Sequence, residues 1–374
     1  MKILVLKVGI VLLRFVYFFI KLLVPVKNQV TFISRQAGNY SLDIDLLTKY
    51  MKENYPEYTC VVMHKEIGKG IGGLISYGFH MLDQMVQISG SRCVVLDGYC
   101  INISCLHHKK SLKVIQMWHA LGSLKKFGFS ILDNAEGRSS AISKAMHMHE
   151  NYDYILTTSE ISKGFFMEAF NAKESQMKVL GLPRMDFLQS KEEKQTIRKR
   201  FLEIYPECDN GKEMVLYGPT MRIGCDVDWP SVIEHIDTHR YNLLLKLHGG
   251  REIVVVDGNT IERGNHFYGM EALHLADYFI SDYSAMIYEA AIAGLPIYLY
   301  IYDYDTYMAG RGTYIDFLSE MPGKMSKSMK EIATWIEEKD MNTEKTQEFI
   351  RKYVSQVDHN ITAELCELIV SCCK

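Results

Sequence analysis

From residue 30 almost to the end of the chain, short apolar runs alternate with stretches whose apolar positions recur every three or four residues. The runs at 30–33, 60–63, 93–96, 114–117, 154–157 and 179–180 predict strands. Helical spacing fills 43–53, 71–87, 139–149 and 161–170 between them. This alternation predicts a parallel sheet with helices on both faces. A polar, charge-dense stretch at 191–212 interrupts the pattern, which then restarts. Strands are expected at 214–217, 243–247, 278–280 and 297–300, and helices at 231–238, 285–293, 327–339, 343–353 and 362–372. The chain therefore divides into an N-terminal segment, 1–25, and two α/β units, 26–190 and 191–374, expected to face a cleft. Ligands of such sheets bind beyond the carboxyl ends of the strands. The sequence shows no internal repeat, Walker-type loop or Gly-x-Gly-x-x-Gly loop.

Residues 1–24 are apolar but carry Lys2, Lys7, Arg14 and Lys21 and no acid. Arg14 splits the apolar core that a signal peptide needs, and no Ala-x-Ala site follows. Lys7, Arg14 and Lys21 are seven apart. Seven helical steps return a side chain to within about 20° of its start, so the three cations form one stripe. The expectation is a helix lying in a membrane surface with that stripe at anionic headgroups. A tilted span and a buried or partner-binding helix are the alternatives. Pro25 ends the segment.

Composition narrows the class. The 374 residues are 48% hydrophobic and 23% charged, which is ordinary for a globular chain. Forty-two Lys plus Arg against 45 Asp plus Glu give a net charge of −3, without the basic excess of a nucleic-acid binder. Nine cysteines, none in a Cys-x-x-Cys pair, suit reduced cytosolic thiols better than a disulfide framework or a zinc site.

The suggestive polar residues follow the apolar runs. Trp118-His119 comes after the run 114–117, beside the small residues Ala120 and Gly122, which leave room for a substrate. A neutral imidazole there can take a proton from an alcohol, although a histidine satisfied within a loop also fits the position. Lys246 and His248 alternate with Leu245 and Leu247, so both can face an anion from one side of a strand end. Ser281-Asp282-Tyr283-Ser284-Ala285 reads as a strand, a polar turn and a helix start, suited to a phosphate. Glu289, further along that helix, can accept hydrogen bonds from a polyol; a plain helix cap with a solvated Glu is the alternative. Arg184 and Arg222 each lie just past a strand, the latter after Pro219-Thr220. Surface salt bridges are the alternative for both. His235 with His239, Asp303 with Asp305, and His107-His108 read as solvated faces or turns.

Seven segments in order carry a resemblance: QMWHALGSLKKFG from Gln116, GLPRMDF from Gly181, YGPTMR from Tyr217, KLH from Lys246, SDYSAMIYE from Ser281, GLPIYLYIYDYDTY from Gly294 and RGTYIDF from Arg311. Together they resemble the CDP-glycerol glycerophosphotransferase family, the primases and polymerases of wall teichoic acid. The resemblance implies a GT-B-like fold of two Rossmann-type domains, bound peripherally at the cytoplasmic face of the cell membrane. It implies that the second domain holds CDP-glycerol and that a polyprenyl-diphosphate-linked acceptor enters from the first. By matching motif, His119 looks like the general base and His248 like a second essential histidine at the donor phosphates. Trp118, Arg184, Pro219, Thr220, Arg222, Lys246, Leu247, Ser281, Ser284, Ala285 and Glu289 look like donor contacts. The family often has Ser where Ala285 stands and Asp where Glu289 stands, which leaves a CDP-ribitol donor open. No metal and no cofactor is expected, and a homo-oligomer is allowed. A nucleotide-sugar transferase of the same fold and a membrane-tethered binding protein are the competing readings.

Overall fold

The computed structural model describes residues 2–35, 41–65, 68, 70–134, 136–221, 226–248, 250–310, 312–355 and 359–374. Two units emerge. Unit 1 comprises Met1–Ala120, Lys126–Arg184 and Asp358–Lys374; unit 2 comprises Leu121–Lys125 and Met185–Val357. Arg222 and Arg311, each within a motif singled out above, lie outside the described residues.

Unit 1 is built on six parallel strands: β1 (Gln29–Ser34), β2 (Thr59–His64), β3 (Cys93–Leu96), β4 (Lys113–Gln116), β5 (Tyr154–Thr157) and β6 (Met177–Val179). Their order is β2-β1-β3-β4-β5-β6. The chain winds outward from β1 to β2, then crosses back to β3, so the order reverses between β1 and β3. Every residue of β1 and β3 is buried, as expected of strands covered on both faces. Burying one Val or Leu side chain is worth about 1.5–3 kcal/mol, so these short strands are held mainly by the helices that cover them.

Unit 2 repeats this winding without repeating the sequence. Its strands are β7 (Glu213–Tyr217), β8 (Tyr241–Lys246), β9 (Glu252–Val256), β10 (Asn259–Gly264), β11 (Tyr278–Ser281), β12 (Ile297–Tyr300) and β13 (Lys324–Ser326). The order is β10-β9-β8-β7-β11-β12-β13, and it reverses between β7 and β11. β9 and β10 form an antiparallel hairpin on the edge of an otherwise parallel sheet. The sequence reading expects no strand there. Asp257 and Gly258 both take positive φ in the two-residue turn, which is the chemistry of a tight hairpin.

The last helix, Ile361–Cys373, departs from the expected boundary. It packs on α2 (Leu42–Asn54), β3 and β4, and so belongs to unit 1. Its buried Ile361, Leu365, Cys366, Ile369 and Cys373 recur at helical spacing, which gives it one apolar face to bury.

The first helix, α1 (Lys2–Leu23), forms as expected but faces the other way. Ile10, Arg14, Tyr17 and Lys21 share one side, and that side packs on unit 1. Arg14 Nε donates to the Cys105 carbonyl at 2.7 Å, and Lys21 Nζ to that of His107 at 2.9 Å. Cys105 ends the short helix α4 (Ile101–Cys105), whose last carbonyls lack helical partners and attract cations. The Tyr17 hydroxyl donates to His108 Nδ1 at 3.0 Å. Two cations of the stripe thus satisfy backbone carbonyls, and only Lys7 stays exposed. The outward face is Leu4, Val8, Val11, Leu12, Phe15, Phe18 and Leu22. Beside it, α3 (Gly70–Gly90) exposes Ile71, Leu74, Ile75, Phe79 and Leu82.

Candidate active site

In unit 1 the polar groups gather where the strand order reverses. Ser34 ends β1 and Asp97 follows β3, and the Ser34 hydroxyl donates to Asp97 Oδ2 at 2.5 Å. Asp97 is 3% exposed. Burial pushes its carboxyl up to about 6, against the hydrogen bonds from Ser34 and the Arg35 backbone that favour ionisation. His119, three residues past the end of β3's neighbour β4, turns back to this point. Its Nδ1–H donates to the Asp97 carbonyl at 2.8 Å. That bond fixes the neutral tautomer in which Nε2 is the basic nitrogen. Burial holds the imidazole below the ordinary histidine value, opposed by the Asp97 carbonyl and reinforced by Arg184.

Arg184 serves the same cluster from behind. Its backbone N–H and guanidinium donate to both oxygens of Asp43, at 2.9, 2.9 and 2.5 Å, and Nη1 reaches the His119 carbonyl at 3.2 Å. Asp43 is 1% exposed. A paired, hydrogen-bonded arrangement is what allows a carboxylate to be buried there. Within unit 1 the Arg184 guanidinium thus joins Asp43 to the His119 carbonyl.

Trp118 stands beside His119 with φ of 62°, in the left-handed region. Its ring lies 4.1 Å from the His119 ring between centroids and stacks on Phe127 at 5.1 Å. His149 closes the cluster against Trp118 and Phe170; burial lowers its imidazole to about 3, so it is neutral packing.

In unit 2 the corresponding reversal point is also bridged. The Ser281 hydroxyl, at the end of β11, donates to the Gly218 carbonyl just after β7 at 2.8 Å. Asp282 Oδ1 accepts the backbone N–H groups of Thr220 at 2.8 Å and Tyr283 at 2.5 Å. Ser281 thereby joins two strand ends. Pro219 is buried, and Thr220 and Ser284 are half-buried at this end of the sheet. The Ser284 hydroxyl accepts from Met286 N–H at 3.3 Å, and exposed Ala285 opens the helix Met286–Ile292. Glu289 in that helix is buried, not solvated.

His248 is exposed past the end of β8. Partial desolvation lowers its imidazole, Asp282 raises it and Lys125 lowers it further. Lys246 Nζ is held by Glu252 at 2.9 Å and by Asn265. Glu252 is fully buried in β9, so the hairpin absent from the sequence reading supplies the counter-charge. Leu247 is half-buried, its backbone N–H bonded to the Arg251 carbonyl.

One expectation about space is also corrected. Gly122 lies in the unit 2 segment Leu121–Lys125, and a Cβ there would sit 2.2 Å from the Tyr288 ring. The residue is small because Tyr288 occupies the place, not because a substrate does. The remaining suggestive residues are ordinary: His235 Nδ1 donates to the Ser231 carbonyl, and Asp303 accepts from the Tyr283 hydroxyl. Among the described residues, no three His, Cys, Asp or Glu side chains group as metal ligands. The sequence reading missed Ser34, Asp43 and Asp97, and read Asp282 only as part of a polar turn. Asp97 follows an apolar run directly, and Asp43 interrupts a buried helical stripe; both are positional signals of the kind that exposed His119.

Two α/β units with polar residues gathered at their strand-order reversals make this a GT-B-like fold. The solved wall teichoic acid polymerase TagF matches it with a TM-score of 0.74 at 19% identity, over 100% of this chain and 97% of that one. The chain belongs to the CDP-glycerol:poly(glycerophosphate) glycerophosphotransferase family, whose pattern matches residues 16–371. It is 27% identical to a teichoic acid ribitol-phosphate primase of Bacillus spizizenii strain W23, over 95% of this chain and 94% of that protein. It is 24% identical to a teichoic acid glycerol-phosphate primase of Bacillus subtilis strain 168, over 89% of this chain and 86% of that one.

Proposed function

We propose that this protein transfers glycerol phosphate from CDP-glycerol to a hydroxyl of a polyprenyl-diphosphate-linked saccharide or of a growing poly(glycerol phosphate) chain, releasing CMP. The observation that carries the reading is His119: neutral, with Nδ1 committed to the Asp97 carbonyl and Nε2 left as the base. His119 Nε2 takes the proton of the acceptor hydroxyl. The oxygen attacks the β-phosphorus in line, the bond to the bridging oxygen breaks, and CMP leaves with that oxygen. His248, Pro219, Thr220, Arg222, Leu247, Ser284, Ala285 and Glu289 are assigned to the donor. Trp118, Arg184, Lys246 and Ser281 are assigned to holding the two sets in place, on the strength of the partners described above.

A CDP-ribitol donor is the second reading, favoured by the near full-length similarity to a ribitol-phosphate primase. The protein acts, in this reading, at the cytoplasmic face of the membrane. The outward apolar faces of α1 and α3 insert there, with Arg14 and Lys21 turned inward.

The test is thermal protection followed by product sizing. CDP-glycerol or CDP-ribitol should raise the melting temperature, and UDP-sugars should not. With a synthetic lipid-linked disaccharide, the donor that protects should release CMP and extend the acceptor. Protection by UDP-sugars alone, or no CMP release with either CDP-alditol, rejects the proposal.

A further inference from the structure

Gln116 is the last residue of β4 and is fully buried. Its Nε2 donates to the Gly98 carbonyl at 2.9 Å, and its Oε1 accepts the Trp118 backbone N–H at 2.9 Å. The amide orientation follows from its partners: a carbonyl requires the NH₂ end and an N–H requires the oxygen. Only a carboxamide, or a protonated carboxyl of the same length, satisfies both.

The two carbonyls involved are adjacent. Asp97 receives His119 Nδ1–H, and Gly98 receives Gln116. The turn after β3 thus anchors both the imidazole and the side chain that governs the backbone one residue before it. That backbone is in an unfavourable state. Trp118 has φ of 62°, a region that residues with a Cβ adopt only when surrounding bonds hold them. The Gln116 Oε1 bond to the Trp118 N–H is such a restraint, and the rings of Phe127 and Phe170 clamp the indole. Relaxation of Trp118 to negative φ would re-aim the following residue, His119.

We propose that Gln116 is a positioning residue: its side-chain amide locks Trp118 in the left-handed conformation and so fixes where His119 presents Nε2. The inference rests on His119 being the base. It concerns a side chain that the sequence motif contains but that no substrate need touch.

The experiment compares Gln116→Met, Gln116→Glu, His119→Ala and the unaltered full-length protein. CMP release is measured with the CDP-alditol that protects the protein and the synthetic lipid-linked disaccharide, from pH 5 to 8. Gln116→Met keeps the bulk and removes both bonds. It should lower kcat about 10²-fold with the donor KM unchanged, the scale of a small misplacement of a reacting group. Gln116→Glu should behave as the native amide when protonated. When ionised it opposes the Gly98 carbonyl with an oxygen. The ratio of its kcat to that of the unaltered protein should therefore fall at least tenfold as pH rises, a titration that cancels that of His119. The charged or titratable groups described around this position are Asp97, Arg184 and His119 at the turn, His149, which burial keeps neutral, and Tyr152, which burial keeps un-ionised over this range. Thermal melts report folding, and if Gln116→Met does not fold, the pH ratio of Gln116→Glu decides. A pH-independent ratio near one overturns the inference, as does a folded Gln116→Met variant with native kcat. Native turnover by His119→Ala overturns the general-base reading instead, so the two failures are distinguishable.

Discussion

The Ser34 hydroxyl and the Asp97 carboxylate meet at 2.5 Å across the point where strand order reverses in the first sheet. In unit 2 the Ser281 hydroxyl and the Gly218 carbonyl meet at the equivalent reversal. Open parallel sheets separate their loops at such points, which leaves strand-end polar groups without a covering connection. In both units a serine hydroxyl closes that gap.

Asp97 should make stability pH-dependent in an unusual direction. Its folded value of about 6 lies above the usual 3.8, so the protonated folded state is favoured. The contribution is complete below the unfolded value and is lost as pH rises through about 6. A shift of roughly two units corresponds to about 3 kcal/mol. Urea unfolding of Asp97→Asn and the unaltered protein at pH 4 and pH 7.5 checks this. The stability difference should move by about 2–3 kcal/mol in favour of Asn at the higher pH, other titrations cancelling.

His119 should set the acid limb of activity. Its imidazole is held below the ordinary value, so the basic form predominates at neutral pH. A plot of kcat/KM against pH should fall only below about 6.5 and lie flat above it. His119→Ala should lose that limb together with about 10²–10⁴-fold in kcat, while CDP-alditol still raises the melting temperature.

The Asp43–Arg184 pair should be a structural keystone of unit 1. Removing one partner strands a buried charge, at a cost of about 3–5 kcal/mol. Asp43→Ala and Arg184→Ala should each lower the urea midpoint sharply, and the double variant should cost less than their sum. Strict additivity in that cycle would refute direct coupling.

The outward faces of α1 and α3 should bind bilayers by insertion more than by charge. Phe15 and Phe79 are 62% and 69% exposed, whereas Arg14 and Lys21 are held by backbone carbonyls. Vesicle flotation should show weak dependence on salt. Phe15→Glu with Phe79→Glu should reduce partitioning at least about 100-fold, since each buried Phe contributes about 1.5–3 kcal/mol. Binding that vanishes at moderate salt with the native sequence would favour the headgroup-facing stripe instead.

What could be read from the chain, and what could not, follows from the range of each interaction. Strand β3 at 93–96, β5 at 154–157 and β12 at 297–300 match the apolar runs residue for residue, because a strand buried along all or nearly all of its length is a purely local signal. The hairpin β9–β10 is not among the expected strands, although Asp257-Gly258 is a strong turn signal between its two arms. Helical spacing placed Arg14 and Lys21 on one face. Which way the face turns depends on the carbonyls of Cys105 and His107, some ninety residues away in the chain. Arg184 is visible by position, but its buried partner Asp43 lies 141 residues earlier in the chain; Glu252 is only six residues from Lys246, yet the two meet only because β8 and β9 pair antiparallel. A cation that will meet substrate and one that will meet a carboxylate look the same in one dimension.

The helix Ile361–Cys373 completes unit 1 after all of unit 2 has been made. On the ribosome, the nascent first sheet must therefore wait, with the flank of α2, β3 and β4 uncovered, until roughly half the protein has been added behind it. Refolding in the tube and folding during translation follow different orders in such a chain. A nascent-chain arrest series should show protease resistance of unit 1 arriving only once residues 361–373 have emerged from the ribosome.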